Sequence, residues 1–230
     1  MSDAPLVRLK REGTVDQIAD QLREGIRIGS FRPGEPLREA TLADQLGVSR
    51  GPVREALRQL VQQGIAVNNF NRGVVVKELS DDDVRDVFVA RGAIEKECAA
   101  NLWRSRDAAV FGSLERIVQE MKLAAKRHCS WAELVDLDIS FHQTLVDSHF
   151  SPRLAGMYGT LLIESRMAIA ALDSAYPKRV ELAHEHQVLI RALRGKDLLA
   201  LYDEIDAHLD NTARIQNAAR SARLLERTGE

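Results

Sequence analysis

The sequence predicts a mainly α-helical protein, with a winged helix-turn-helix over residues 8–78 and an antiparallel bundle of six or seven helices over residues 79–225. Two observations predict this division. Before residue 78, helix signals are interrupted by a glycine-ended hairpin, whereas from Ser80 onward only helix starts recur. The length of 230 residues is also sufficient for two domains of ordinary size.

Helix starts and stops divide the first domain. A capping box that begins at Thr14 predicts the start of the first helix. Gly47 is expected to end a short second helix, and Ser49 is a favoured N-cap for the third. Two β-prone runs, residues 65–67 and 74–76, flank a polar turn and predict a hairpin.

The second domain is predicted to contain six helices of roughly 15–25 residues each. Three aspartates follow the first start, Ser80, and their charge suits the positive end of a helix dipole. The predicted starts are Ser80, Ser105 or Asp107, Ser130, Ser151, Pro177 and Asp197.

Composition excludes several classes of protein. With 45% hydrophobic and 29% charged residues, the chain is typical of a soluble globular protein rather than a disordered one. No apolar run is long enough to span a bilayer, and the N-terminus lacks the apolar segment of a secretory signal. Cys98 and Cys129 form no CxxC pair, which favours a reducing compartment. We therefore expect a cytoplasmic protein with no membrane partner.

The third helix carries a row of arginines on its outer face. Arg50, Arg54 and Arg58 recur at i, i+4 and i+8, apart from the apolar positions that face the core. Because the N-terminus of a recognition helix enters the major groove first, Arg50 and Arg54 are the better candidates for base edges, where arginine binds guanine O6 and N7. Arg58 is expected to contact a phosphate. The alternative is a solvated arginine face on a surface helix.

Neighbouring elements are expected to add DNA contacts. Arg38 and Thr41, on the preceding helix, can reach the DNA backbone, and Arg72 at the hairpin tip can reach the minor groove or a phosphate. The predicted DNA-contacting set is Arg38, Thr41, Ser49, Arg50, Gly51, Arg54, Arg58, Arg72 and Gly73.

Several short segments of this region are distinctive: PGEPL (33–37), LADQLGVSR (42–50), PVREAL (52–57), Gly64 and NRG (71–73). With these segments, about residues 10–78 closely resemble the N-terminal domain of GntR-family transcriptional regulators. The resemblance implies a homodimer that binds a roughly palindromic double-stranded DNA operator. Ala40 and Gly51 depart from the family pattern, where an arginine and a threonine are common, so the operator is expected to differ from the typical one or to be bound less tightly.

Four ionisable residues fall on apolar helix faces of the second domain. Asp138 and His142 are one turn apart, and His186 and His208 lie on two later helices. A buried carboxylate is costly unless its lost hydration is compensated, and a divalent ion such as zinc, nickel or manganese would do so. The alternative is a set of core histidines, each hydrogen-bonded to a neighbour.

The same four residues match, in order and context, the metal-binding residues of the FCD domain, which occurs in the FadR-like branch of the GntR family. This resemblance implies that residues 80–225 form an antiparallel helical bundle that binds a small organic acid. Six helices rather than seven are closer to the vanillate-regulator-like subgroup.

Arg91 is predicted to face inward, where its guanidinium needs an anion. A ligand carboxylate and Glu95, one helical turn away, are equally good candidates. Arg166 is a weaker candidate for binding the ligand.

Together these features predict a transcription regulator whose operator affinity responds to a small carboxylate bound at a metal site. Two alternatives use the same four residues. In a metal sensor, the ion itself is the signal. In a hydrolase, the ion activates a water molecule, but no clear general base accompanies it and the DNA-binding domain would be unexplained.

Overall fold

The computed structural model describes residues 12–170 and 179–211, and the chain divides into two compact units between Glu78 and Leu79. The elements of the first unit are α1 (Glu12–Arg27), α2 (Glu39–Leu46), α3 (Arg50–Gln62), β1 (Ala66–Asn69) and β2 (Gly73–Val76). Those of the second are α4 (Asp81–Ser105), α5 (Ala108–Lys126), α6 (Trp131–Asp147), α7 (Pro152–Ala170), α8 (Arg179–Arg194) and helical residues 198–211, called α9. For this part of the chain, the predicted mainly α fold with an N-terminal winged helix-turn-helix is confirmed.

In the first unit, α1 packs against α3, and the apolar faces of both helices are buried. Gly47 ends α2 with a left-handed φ of 64°, a conformation that glycine adopts without strain. The strands β1 and β2 pair in antiparallel fashion, with Ala66 opposite Val76 and Asn69 opposite Gly73. This arrangement places α2, α3 and the hairpin in one small unit.

Two helix starts differ from the sequence-based prediction. The prediction that a capping box at Thr14 starts the first helix is wrong, because α1 begins at Glu12 and Thr14 lies inside its first turn. A residue inside the helix has helical backbone angles and cannot also be the extended N-cap residue. Ser49 has the extended backbone of an N-cap, but its side chain makes no capping hydrogen bond with the described residues.

In the second unit, α5 packs against both α6 and α8, and α4 packs against α6 and α7. Ser80 caps α4 through a reciprocal pair with Asp83, and Ser130 caps α6. Asp107, rather than Ser105, caps α5. Pro177, which the sequence predicts as the start of the helix now labelled α8, lies outside the described residues. No helix in ranges 12–170 and 179–211 combines the length and apolar character needed to cross a membrane.

Candidate metal centre and nucleic-acid interface

The metal cluster, which we define as Asp138, His142, His186 and His208, lies inside the second unit. Asp138 and His142 are one turn apart on the buried face of α6, while His186 comes from α8 and His208 from α9. All four side chains are buried, and the atoms that they offer as ligands lie within 4.8 Å of one another. The structure thus brings together the four residues that the sequence singled out.

Each histidine of the metal cluster has an acceptor beside its Nδ1 atom. Nδ1 of His142 lies 2.7 Å from Oε2 of Glu95, Nδ1 of His186 lies 2.8 Å from the carbonyl oxygen of Leu182, and Nδ1 of His208 lies 3.2 Å from Oε2 of Glu185. We assign the ring proton of His142 and of His186 to Nδ1, because an ionised carboxylate and a backbone carbonyl can only accept it. The contact between Nδ1 of His208 and Oε2 of Glu185 is not aligned as a hydrogen bond. The Nε2 atoms of His142 and His186 then carry lone pairs that can bind a metal ion.

The centre of the cluster brings electron-rich atoms close together. Nε2 of His142 lies 3.1 Å from Nε2 of His208, and Nε2 of His186 lies 3.2 Å from Oδ1 of Asp138. Among the described residues, neither Oδ2 of Asp138 nor Nε2 of His186 has a hydrogen-bond partner. Buried polar atoms of this kind are normally satisfied, and a cation between them would satisfy all of them.

Burial and charge set the protonation of the cluster. Burial lowers the pKa of His142 to about 4, so its imidazole is neutral at pH 7, as a metal ligand must be. Burial alone would raise the pKa of Asp138, but its contact with His186 and the nearby positive charge of Arg91 hold this pKa below its usual range. The cluster therefore offers one carboxylate and, at His142, a neutral imidazole nitrogen, and donors of these kinds suit zinc, nickel or manganese.

Arg91 belongs to a buried network beside the cluster. Its Nε atom donates to Oε1 of Glu95 at 2.9 Å, and the hydroxyl of Tyr158 donates to the same oxygen at 2.5 Å. The intrahelical pair with Glu95 is thus formed, yet Nη2 of Arg91 has no hydrogen-bond partner among the described residues. Arg166 is also buried, and its guanidinium forms an ion pair with Asp136 on α6.

Sequence reasoning did not assign Glu95, Tyr158 or Glu185 to the metal centre. The sequence suggests Glu95 only as a partner for Arg91, although in the structure it also contacts His142, which lies 47 residues further along the chain. Glu185 directly precedes His186 but contacts His208 instead. The sequence does place Glu95 on the same inward face of α4 as Arg91. It does not predict which residue of another helix Glu95 contacts.

A narrow space lies beside the metal cluster, between Glu95 and His208, and its walls are otherwise apolar. It has room for about one water molecule. A molecule larger than water would fit this space only if the surrounding side chains moved.

The arginines of α3 are exposed, and the apolar positions between them are buried. Nε and Nη2 of Arg54 donate to the two carboxylate oxygens of Glu39 on α2, at 2.9 and 2.8 Å. This bidentate pair lowers the pKa of Glu39. Nη1 of Arg58 donates to Glu55 at 3.0 Å. The sequence does not predict the pairing of Arg54 with Glu39, because helical spacing does not show which residues of different helices meet.

The hairpin tip presents exposed polar and aromatic groups. The Asn69 side chain accepts a hydrogen bond from the backbone of Asn71 at 3.1 Å, and Gly73 has a φ of 71°. This turn leaves Phe70 and Arg72 fully or largely exposed. The remaining predicted DNA contacts are also exposed: Arg38, Thr41, Ser49, Gly51 and Gly73.

Comparison with known proteins finds related sequences along both units. The family described as "Bacterial regulatory proteins, gntR family" matches residues 6–76, and the FCD domain matches residues 86–211. An uncharacterized HTH-type transcriptional regulator of Bacillus subtilis is 31% identical, covering 85% of this chain and 87% of that protein. The gluconate operon transcriptional repressor of Bacillus licheniformis is 26% identical, covering 88% and 85%. A solved GntR transcriptional regulator from a Rhodococcus species has a TM-score of 0.76 and 25% identity, covering 89% of this chain and 98% of that structure.

Proposed function

Because the chain belongs to the GntR family of bacterial regulatory proteins and carries an FCD domain, we propose that a small carboxylate, bound beside a divalent metal ion in the second unit, controls its affinity for DNA. The chain is a transcription regulator, as its relatives are, and not an enzyme. The observation that carries the proposal is the metal cluster, where buried nitrogen and oxygen lone pairs face one another.

The metal ion would be held by one oxygen of Asp138 and the Nε2 atoms of His142, His186 and His208. The positive charge of the ion would be stabilised by these buried donor atoms. Coordination positions of the metal that the protein leaves open could bind a carboxylate oxygen. Zinc, nickel and manganese all suit this donor set. The unpartnered oxygen of Asp138 and nitrogen of His186 support the presence of a cation.

The effector is proposed to be a small organic acid. Nη2 of Arg91 offers a buried, charged donor without a partner among the described residues, which suits a carboxylate. Arg166 is a second candidate, although it would have to share its charge with Asp136. One relative is named for the gluconate operon, and gluconate is itself a carboxylate. Since the adjoining space is narrow, the acid would bind an opened arrangement of the second unit and so favour it.

The DNA interface is proposed to consist of α3, the start of α2 and the hairpin. Arg50 and Arg54 would contact base edges, and Arg58 would contact a phosphate. Within a homodimer, two such units would bind a palindromic operator in the cytoplasm. The other proposed contacts are Arg38, Thr41, Ser49, Gly51, Arg72 and Gly73.

One experiment tests the whole proposal. An operator is first selected from a random duplex library with the purified protein, and metal content is measured by elemental analysis. Operator affinity is then measured with metal-loaded and chelator-treated protein against a panel of organic acids. We expect one acid to change the affinity only when metal is present. A change produced by metal alone would instead identify a metal sensor, and protein that takes up no divalent ion would overturn the metal site.

A further inference from the structure

Glu95 lies at the centre of the buried network and contacts the metal cluster. It is 1% exposed, and its two carboxylate oxygens have different partners. Oε1 accepts hydrogen bonds from Arg91 and Tyr158, whereas Oε2 lies 2.7 Å from Nδ1 of His142. The carboxylate therefore joins α4, α6 and α7 at the side of the cluster.

The three histidines differ in how their rings are held. The ring of His186 is oriented by a backbone carbonyl of its own helix, Leu182, four residues earlier. The ring of His142 is instead oriented by a hydrogen bond to a carboxylate from another helix, Glu95. Glu185 lies 3.2 Å from Nδ1 of His208, but this contact is not aligned as a hydrogen bond. A carboxylate on the far nitrogen of a metal-bound histidine fixes the ring and makes it a stronger ligand. Glu95 is thus placed to affect metal affinity without touching the ion.

We propose that Glu95 is a positioning residue of the metal centre, which holds the proton of His142 on Nδ1 and aims Nε2 at the ion. Arg91 and Tyr158 in turn hold Glu95 in place. The inference rests on the proposed metal site. The charge of Arg91 also balances that of Glu95, so that the carboxylate remains ionised inside the protein.

The test is a metal titration of full-length protein carrying Glu95→Gln. Chelator-treated protein is titrated with zinc in competition with a chromophoric chelator. We expect roughly 10- to 100-fold weaker zinc binding than in the wild type, since the amide is a poorer acceptor for the imidazole proton. Glu185→Gln should weaken zinc binding less, because the contact of Glu185 with His208 is not aligned as a hydrogen bond. Tyr158→Phe removes one donor to Glu95 but keeps its charge, so a smaller loss is expected.

Cobalt(II) separates a positioning role from direct ligation. At saturating cobalt, Glu95→Gln should keep the d–d absorption of the wild type because all four ligands remain, whereas His142→Ala should change it. Thermal unfolding in excess chelator measures any purely structural loss. Unchanged zinc affinity in Glu95→Gln would overturn the inference. If Glu95→Gln does not fold, unchanged zinc affinity in Tyr158→Phe would overturn it instead. Wild-type protein that binds neither zinc nor cobalt would overturn the metal site itself.

Discussion

The arginines of α3 keep their charge in water, whereas Arg91, Glu95 and Asp138 keep theirs inside the second unit. Arg54 and Arg58 are more than half exposed, and their ion pairs with Glu39 and Glu55 contribute little to stability. The buried charges are at most 3% exposed, so each requires a partner. The difference teaches that an exposed site can lose one side chain without harming the fold. A buried site cannot, and its variants need a separate measurement of stability.

The largest effect is expected from removing a ligand of the metal cluster. His186→Ala should abolish stoichiometric metal binding, because it deletes a ligand nitrogen that is already aimed at the centre. Metal at 100 times its Kd stabilises a protein by about 2.7 kcal/mol, so the variant should no longer gain melting temperature on metal addition. Elemental analysis and thermal unfolding with and without metal measure both effects.

His184→Ala is the matched control for this variant. His184 lies on the same helix, two residues away, but it is exposed. It should retain the metal content and the metal-dependent melting temperature of the wild type. Full metal occupancy in His186→Ala would contradict the proposed site.

Arg54→Ala tests the exposed side of the comparison. Loss of a bidentate contact to a base should weaken binding to the selected operator roughly 10- to 100-fold. Because the side chain is exposed, the melting temperature should barely change. Arg54→Lys keeps the charge but not the planar fork, so it should bind nearly as poorly if Arg54 contacts a base, and well if it contacts a phosphate. Operator affinity equal to that of the wild type in Arg54→Ala would contradict the assignment of α3 as the recognition helix.

The two sites also differ in how much the sequence could predict. The spacing of Arg50, Arg54 and Arg58 predicted their shared exposed face, and the spacing of Asp138 and His142 predicted their shared buried one, because helical periodicity alone decides both. Periodicity does not say which residues meet across helices. The contacts of Arg54 with Glu39 and of His142 with Glu95 depend on helix packing.

Arg58→Ala should produce a smaller loss of affinity, of a different kind. A phosphate contact carries no sequence information, so the variant should bind operator and unrelated duplex more weakly by the same factor. The slope of log affinity against log salt concentration should become shallower by about 1. Fluorescence anisotropy over a range of salt concentrations measures this slope. A loss confined to the operator would show that Arg58 contacts a base instead.

The smallest effect is expected from Glu39→Gln, and it has the opposite sign. Glu39 holds the guanidinium of Arg54 through two hydrogen bonds and places a negative charge beside the proposed DNA surface. The amide keeps at most one acceptor for Arg54 and removes the repulsion of DNA phosphates. Affinity for unrelated duplex should therefore rise by a few-fold, and affinity for the operator should rise less, because Arg54 is less well oriented. The dissociation constant for unrelated duplex divided by that for the operator, both measured at one salt concentration, should therefore fall.

Glu55→Gln is the matched control, because it removes a similar exposed pair from Arg58. It should leave this ratio unchanged, since Arg58 is assigned to a phosphate. If Glu39→Gln left the ratio unchanged or raised it, Glu39 would have no part in orienting Arg54 toward a base.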